Sequence, residues 1–122
     1  MENKTQKHGD DLAERLLNFA VRIINLAALL PKTPAGKHIG GQLLRAGTSP
    51  GSNYEESRGA ESRADFIHKL GIVLKELKES RYWLRLICRA RIIDPKRLED
   101  LLNENQELIA IIAKSIVTAK SK

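Results

Sequence analysis

Apolar residues recur at steps of three and four through nearly the whole chain. The recurrence breaks only where a proline, a glycine or a capping residue stands. The first run is Leu12, Leu16, Phe19, Ile23, Leu26 and Leu30, and it ends at Pro31. Such steps place every member on one face of a helix, and the residue before a proline avoids helical angles. Asp10 or Asp11 is the candidate cap, so residues 1–9 are read as a flexible N-terminus and residues 10–119 as one domain. Residues 120–122 are read as a frayed end.

Thr33-Pro34 restarts the chain as a helix, because Thr caps well and proline lacks only an N–H that would be unpaired in the first turn. The segment from 34 to 58 continues the stripe through Ile39, Leu43 and Ala46. It also carries Gly36, Gly40, Gly41, Gly47 and Gly51, and Pro50, which predict a helix kinked near Pro50. The glycine spacing suits close helix packing. Ser62-Arg63-Ala64-Asp65 has the spacing of a capping box. It opens a third helix, to about Ile92, with Phe66, Leu70, Val73, Leu77, Ser80, Leu84 and Ile87 on one face. Asp94-Pro95 repeats the cap-plus-proline signal, and Leu98, Leu101, Asn105, Leu108, Ile112 and Ile116 form the fourth stripe. Short connections make successive helices antiparallel neighbours, so the expected fold is all-α, an antiparallel up-down four-helix bundle. Only 4% of residues are aromatic, so the core rests on Leu, Ile, Val and Ala, which favours packed helices over a sheet.

The third helix carries two further stripes. Ile72, Glu76, Glu79, Trp83 and Leu86 form a seam roughly 100° from the core face. An indole with two aliphatic residues on a face that should be wet marks a candidate oligomer interface, since aromatics are enriched at protein contacts. The alternative is that Trp83 folds over a neighbouring helix of its own chain. Lys75, Lys78, Tyr82, Arg85 and Arg89 lie within about 80° of one another and make a candidate nucleic-acid-binding face, with Tyr82 as a stacking surface. The bland reading of that face is a solvated helix surface. The net charge of +6, from 21 Lys and Arg against 15 Asp and Glu, is the balance of a domain that attracts polyanions.

Other chemistries find little support. A carboxylate-bridged metal pair needs Glu-x-x-His on two helices, and only Asp65-Phe66-Ile67-His68 has similar spacing. Cys88 has no base near it in sequence and reads as a small core residue. No phosphate-loop pattern occurs. The expectations are therefore no catalytic residues, no metal, no cofactor and no small-molecule substrate. A single cysteine and a polar start favour the cytoplasm, and no apolar run approaches the roughly 20 residues that would cross a membrane.

The central block has a denser pattern than packing requires. Arg45-Ala46-Gly47-Thr48-Ser49 leads to Asn53-Tyr54-Glu55-Glu56, and then to Ser62-Arg63-Ala64-Asp65-Phe66-Ile67-His68-Lys69-Leu70-Gly71-Ile72-Val73-Leu74-Lys75-Glu76. This block resembles the bacterial four helix bundle protein family, also called 23S rRNA intervening-sequence proteins, and the likeness extends over residues 10–118. The resemblance implies an up-down bundle assembled as a homopentameric ring. It also implies relatives encoded within ribosomal RNA insertions, and kinship with the accessory protein of diversity-generating retroelements, which binds nucleic acid and a reverse transcriptase. No catalytic residues come with it. The matching positions are Arg45, Ser49, Asn53, Tyr54, Glu56, Arg63, Phe66, Lys69 and Glu76, and the chain departs from many relatives at residues 56–59. A structural and assembly role is expected for these positions. Asn53 and Ser49 flank Pro50, where backbone groups need partners, while Arg45 and Glu56 need partners on helix three or another subunit.

The functional expectation is a non-enzymatic, oligomeric binding module that contacts RNA, DNA or a nucleic-acid enzyme. Its rival is a protein–protein module without nucleic-acid contact.

Overall fold

A computed structural model describes residues 4–122. Four helices, α1 (Lys4–Ala27), α2 (Pro34–Arg58), α3 (Arg63–Arg89) and α4 (Glu99–Lys120), account for nearly all of them, and no strand occurs among the described residues. The four stripes meet in one core. Leu16, Phe19, Ile23, Leu43, Leu70, Leu77, Leu84, Leu98, Leu108 and Ile112 are fully excluded from solvent. Burying a Leu or Ile stabilises by about 1.5–3 kcal/mol, so this core is the main favourable term.

The helix boundaries follow the predicted chemistry with three corrections. Thr33 Oγ1 accepts from the Gly36 N–H at 3.1 Å, with Pro34 at the first helical position, and Ser62 Oγ accepts from the Asp65 N–H at 3.1 Å. Helix α1, however, begins at Lys4, ahead of Asp10 and Asp11, so residues 4–9 are helical instead of loose; residues 1–3 lie outside the described part. The continuing helix satisfies the backbone that a cap would otherwise have served. At the other end α4 extends through Lys120. Asp94 caps a single 3₁₀ turn, Pro95–Arg97, by accepting from the Lys96 N–H at 3.0 Å, and α4 follows at Glu99. The ring of Pro95 fixes one backbone angle, which a 3₁₀ turn accommodates as well as an α-helix does.

Helix α2 is unbroken through Pro50. Its glycines set how it meets α1. A Cβ on Gly47 would lie 2.6 Å from Ile23 Cγ1, and one on Gly36 would collide with the Pro31 carbonyl oxygen. Gly51 faces Leu16 of α1, and Gly40 faces Leu30 in the connection between α1 and α2. Between α3 and α4 a buried amide marks the register: Asn105 Nδ2 donates to the Leu77 carbonyl at 3.0 Å. Helix α3 ends with Arg91 at φ 54°, where the Ile92 N–H reaches the Ile87 carbonyl and the Arg91 N–H reaches Cys88. This left-handed terminus closes the last turn, a position glycine usually fills.

Candidate nucleic-acid interface and apolar faces

The basic stripe is present as a continuous outer face of α3. Lys75, Lys78, Tyr82, Arg85 and Arg89 are all exposed, and Tyr82 keeps 59% of its accessibility. None of the four cations forms an ion pair among the described residues, so their charges face solvent uncompensated. Arg81, roughly 40° from Arg85 around the helix, flanks the stripe without an ion pair and was missed by the sequence reading. Tyr82, Arg85, Leu86 and Arg89 border a groove of 240 Å³, an aromatic and aliphatic wall between two guanidinium groups. Chemically, this arrangement offers phosphate contacts beside one stacking surface.

The seam expected to meet a second subunit is instead used largely within the chain. Arg45 of α2 donates to Glu76 at 2.8 Å and also to Glu79. Trp83 packs edge-on against His38 of α2, with ring centroids 5.9 Å apart, and against Tyr82 at 5.1 Å. Trp83 and Leu86 join the margin of the core, and Ile72 is half-buried. The reason is geometric. Helix α3 has neighbours on two sides, so its apolar arc is wider than one stripe, and the seam is its α2-facing edge. The Trp83 Nε1–H is buried with no hydrogen-bond partner among the described residues.

Large apolar side chains left in water include Leu29 in the α1–α2 connection and Val117 of α4, at 68%, but those that form a row are on α1. Leu17, Val21 and Ile24 retain 55%, 48% and 50% of their accessibility, in a row at steps of four and three. Leu44 of α2 is 37% exposed, on the side of that helix where Gly47 touches α1. The sequence signal was present, since 17 and 24 run one position beside the core residues 16 and 23, with 21 between them at helical spacing. Contiguous exposed apolar surface of this kind marks contact sites.

The motif positions divide among roles. Arg45 finds its partners on α3, as expected, but Glu56 is exposed and has none among the described residues. Asn53 Nδ2 donates to the Ser49 carbonyl at 2.9 Å, whereas the Ser49 hydroxyl is buried without a partner among the described residues. Lys69 pairs with Asp65 at 3.9 Å on the same helix. Tyr54 is buried, and burial pushes its phenol above the ordinary value. Tyr54, Arg63 and Phe66 converge on a cavity at one end of the molecule. Cys88 is half-buried, and burial pushes its thiol up, away from the thiolate a nucleophile needs. No cluster of three His, Cys, Asp or Glu capable of holding a metal ion occurs among the described residues. Among the described residues no helix is long and apolar enough to cross a membrane.

A four-helix, all-α protein with a bare basic helix face and no assembled catalytic cluster among its described residues is the class these features define. Residues 11–114 match the family model described as 23S rRNA-intervening sequence protein, and the chain belongs to that family. The chain is also similar to a protein of unknown function from the S23 ribosomal protein family of Bacteroides thetaiotaomicron VPI-5482, known from a crystal structure. The two share 40% identity over 86% of this chain and 97% of that one, with a TM-score of 0.81. No curated protein matches.

Proposed function

We propose that this protein is a non-enzymatic, oligomeric binding module whose basic α3 face contacts RNA or DNA, directly or alongside a nucleic-acid enzyme. In this reading the four helices run alternately up and down. Copies pack through the apolar row of α1, and the ring number of five comes from the family resemblance. Assembly repeats the α3 stripe around the ring, turning four cations into a large basic surface. The observation that carries the reading is the absence of any acidic partner for Lys75, Lys78, Arg85 and Arg89 among the described residues. Free surface cations beside an exposed tyrosine suit a phosphate backbone and its bases.

The test is binding of a fluorescent single-stranded RNA by anisotropy at about 50 mM salt. Reversing Lys78→Glu and Arg85→Glu together is expected to weaken binding at least about tenfold while leaving helicity unchanged, because two phosphate contacts become repulsions. Equal binding by the variant would move the function to a protein–protein module that makes no use of this face.

A further inference from the structure

The cavity at the end of the bundle where α3 begins is separate from the basic stripe. Arg63 and Arg89 lie at opposite ends of α3, roughly 39 Å apart along its axis. The cavity measures 720 Å³ and is formed where all four helices end or begin. That volume is typical of small-molecule sites. Phe66, Leu70 and Ile111 supply an apolar floor, with Leu70 fully buried and the other two half-buried.

The charged side chains around that floor are, among the described residues, of one sign. Arg63 and Lys114 border it, both exposed, and among the described residues neither is in an ion pair and no acidic side chain lines it. Of the two further cations that line it, Lys122 is exposed, and Arg58 is already held by Asp10 at 2.7 Å, so Arg58 contributes structure and little free charge. Tyr54 is only 6% exposed and lines the cavity, and its hydroxyl, which makes no hydrogen bond to any described residue, is not a fully buried atom and so is open to a bound molecule.

We propose that this end cavity binds an amphipathic anion: an apolar chain or ring seated on Phe66, Leu70 and Ile111, with one carboxylate, sulfonate or phosphate group held by Arg63 and Lys114. The Tyr54 hydroxyl donates to a polar atom of the bound molecule. Charge complementarity selects an anion over a neutral or cationic molecule of the same shape, and the floor selects an apolar body over a free inorganic ion. The site stands independently of nucleic-acid binding, since it shares no residue with the α3 stripe.

The probe is 8-anilinonaphthalene-1-sulfonate, titrated by fluorescence against the full chain, with decanoate as competitor. The neutral N-phenyl-1-naphthylamine has nearly the same apolar body without the charge. Saturable binding at one site per chain, displaced by decanoate, is expected. Arg63→Glu with Lys114→Glu should weaken the sulfonate probe about tenfold or more and the neutral probe less than about twofold, the difference reporting charge pairing and not collapse of the cavity. Tyr54→Phe should weaken the sulfonate probe by a few-fold. Val21→Ser, on the exposed α1 row, should leave both probes unchanged. Failure of the sulfonate probe to saturate, equal affinity in the double charge reversal, equal loss of both probes, or loss of binding in Val21→Ser would each overturn the proposal.

Discussion

Arg15 grips Glu104 with two nitrogens, Nε at 3.0 Å and a terminal nitrogen at 2.6 Å, and touches Glu107 at 3.3 Å. This clamp joins α1 to α4, where the contact between neighbouring helices is thinnest. The hydrogen bond from Arg15, more than the charge alone, holds the Glu104 carboxyl below its ordinary value of 4.5. A depressed carboxylate stabilises the fold above the unfolded-state value, and that contribution disappears as pH falls through the lower folded-state value. Glu104→Gln is therefore expected to lower stability at pH 7 by about 0.5–1 kcal/mol, the scale of a partly exposed bidentate pair. The deficit should shrink toward zero on acidification below the ordinary value, as urea midpoints across pH would report. A deficit that stays constant into strong acid would mean that Arg15 contributes nothing through charge. Nothing in the sequence pairs Arg15 with Glu104, because 89 positions separate them and only the fold brings them together. The polar residues inside the stripes, Ser80 and Asn105, were legible as core positions from their spacing. The missing partner of the Asn105 Oδ1 was not, since it depends on the packing of α3 against α4.

Helices α1 and α2 show what a glycine does when another helix lies against it. Gly47→Ala puts a methyl group into Ile23, and overpacking of this kind costs about 1–3 kcal/mol. Gly71, on α3, has open space around its Cβ position, so Gly71→Ala should raise stability by about 0.5–1 kcal/mol through helix propensity alone. Opposite shifts in denaturation midpoint would show that α2's glycines serve packing. A stabilising Gly47→Ala would show that the helices are not so close. The elements themselves were largely readable, since periodicity and caps give four helices and the starts at Thr33 and Ser62 come from side-chain chemistry. The start of α1 was misplaced because Asp10 has the composition of a cap but sits mid-helix, holding Arg58 at 2.7 Å. What covers the α3 seam within the chain was not legible, for a related reason. A helical wheel shows which residues share a face and not which neighbour covers it, and His38 and Arg45 of α2 cover this one. The exposed row of α1 was passed over because it borders the core stripe so closely that the two merge into one apolar helix.

At the scale of the molecule, the apolar row on α1 and the basic stripe on α3 are the surfaces a single chain leaves unsatisfied. Under the assembly proposed above, replacing Leu17, Val21 and Ile24 together by Ser is expected to give smaller species in light scattering, with helicity retained because these side chains contribute little to the core. Trp83→Ala should instead lower stability by a few kcal/mol, as a large half-buried ring is lost, with no direct effect on a subunit contact. An unchanged mass in the triple variant would place assembly elsewhere. The central claim is that α3 presents its cations to a phosphate backbone. It is tested most directly by the slope of RNA affinity against salt concentration. Four phosphate contacts on a single strand predict a log–log slope near −3 per subunit, so affinity should fall by roughly 50-fold between about 50 and 200 mM salt. That slope should be about halved by Lys78→Glu with Arg85→Glu. No detectable binding at the lower salt, or binding whose slope is flat, would contradict the account.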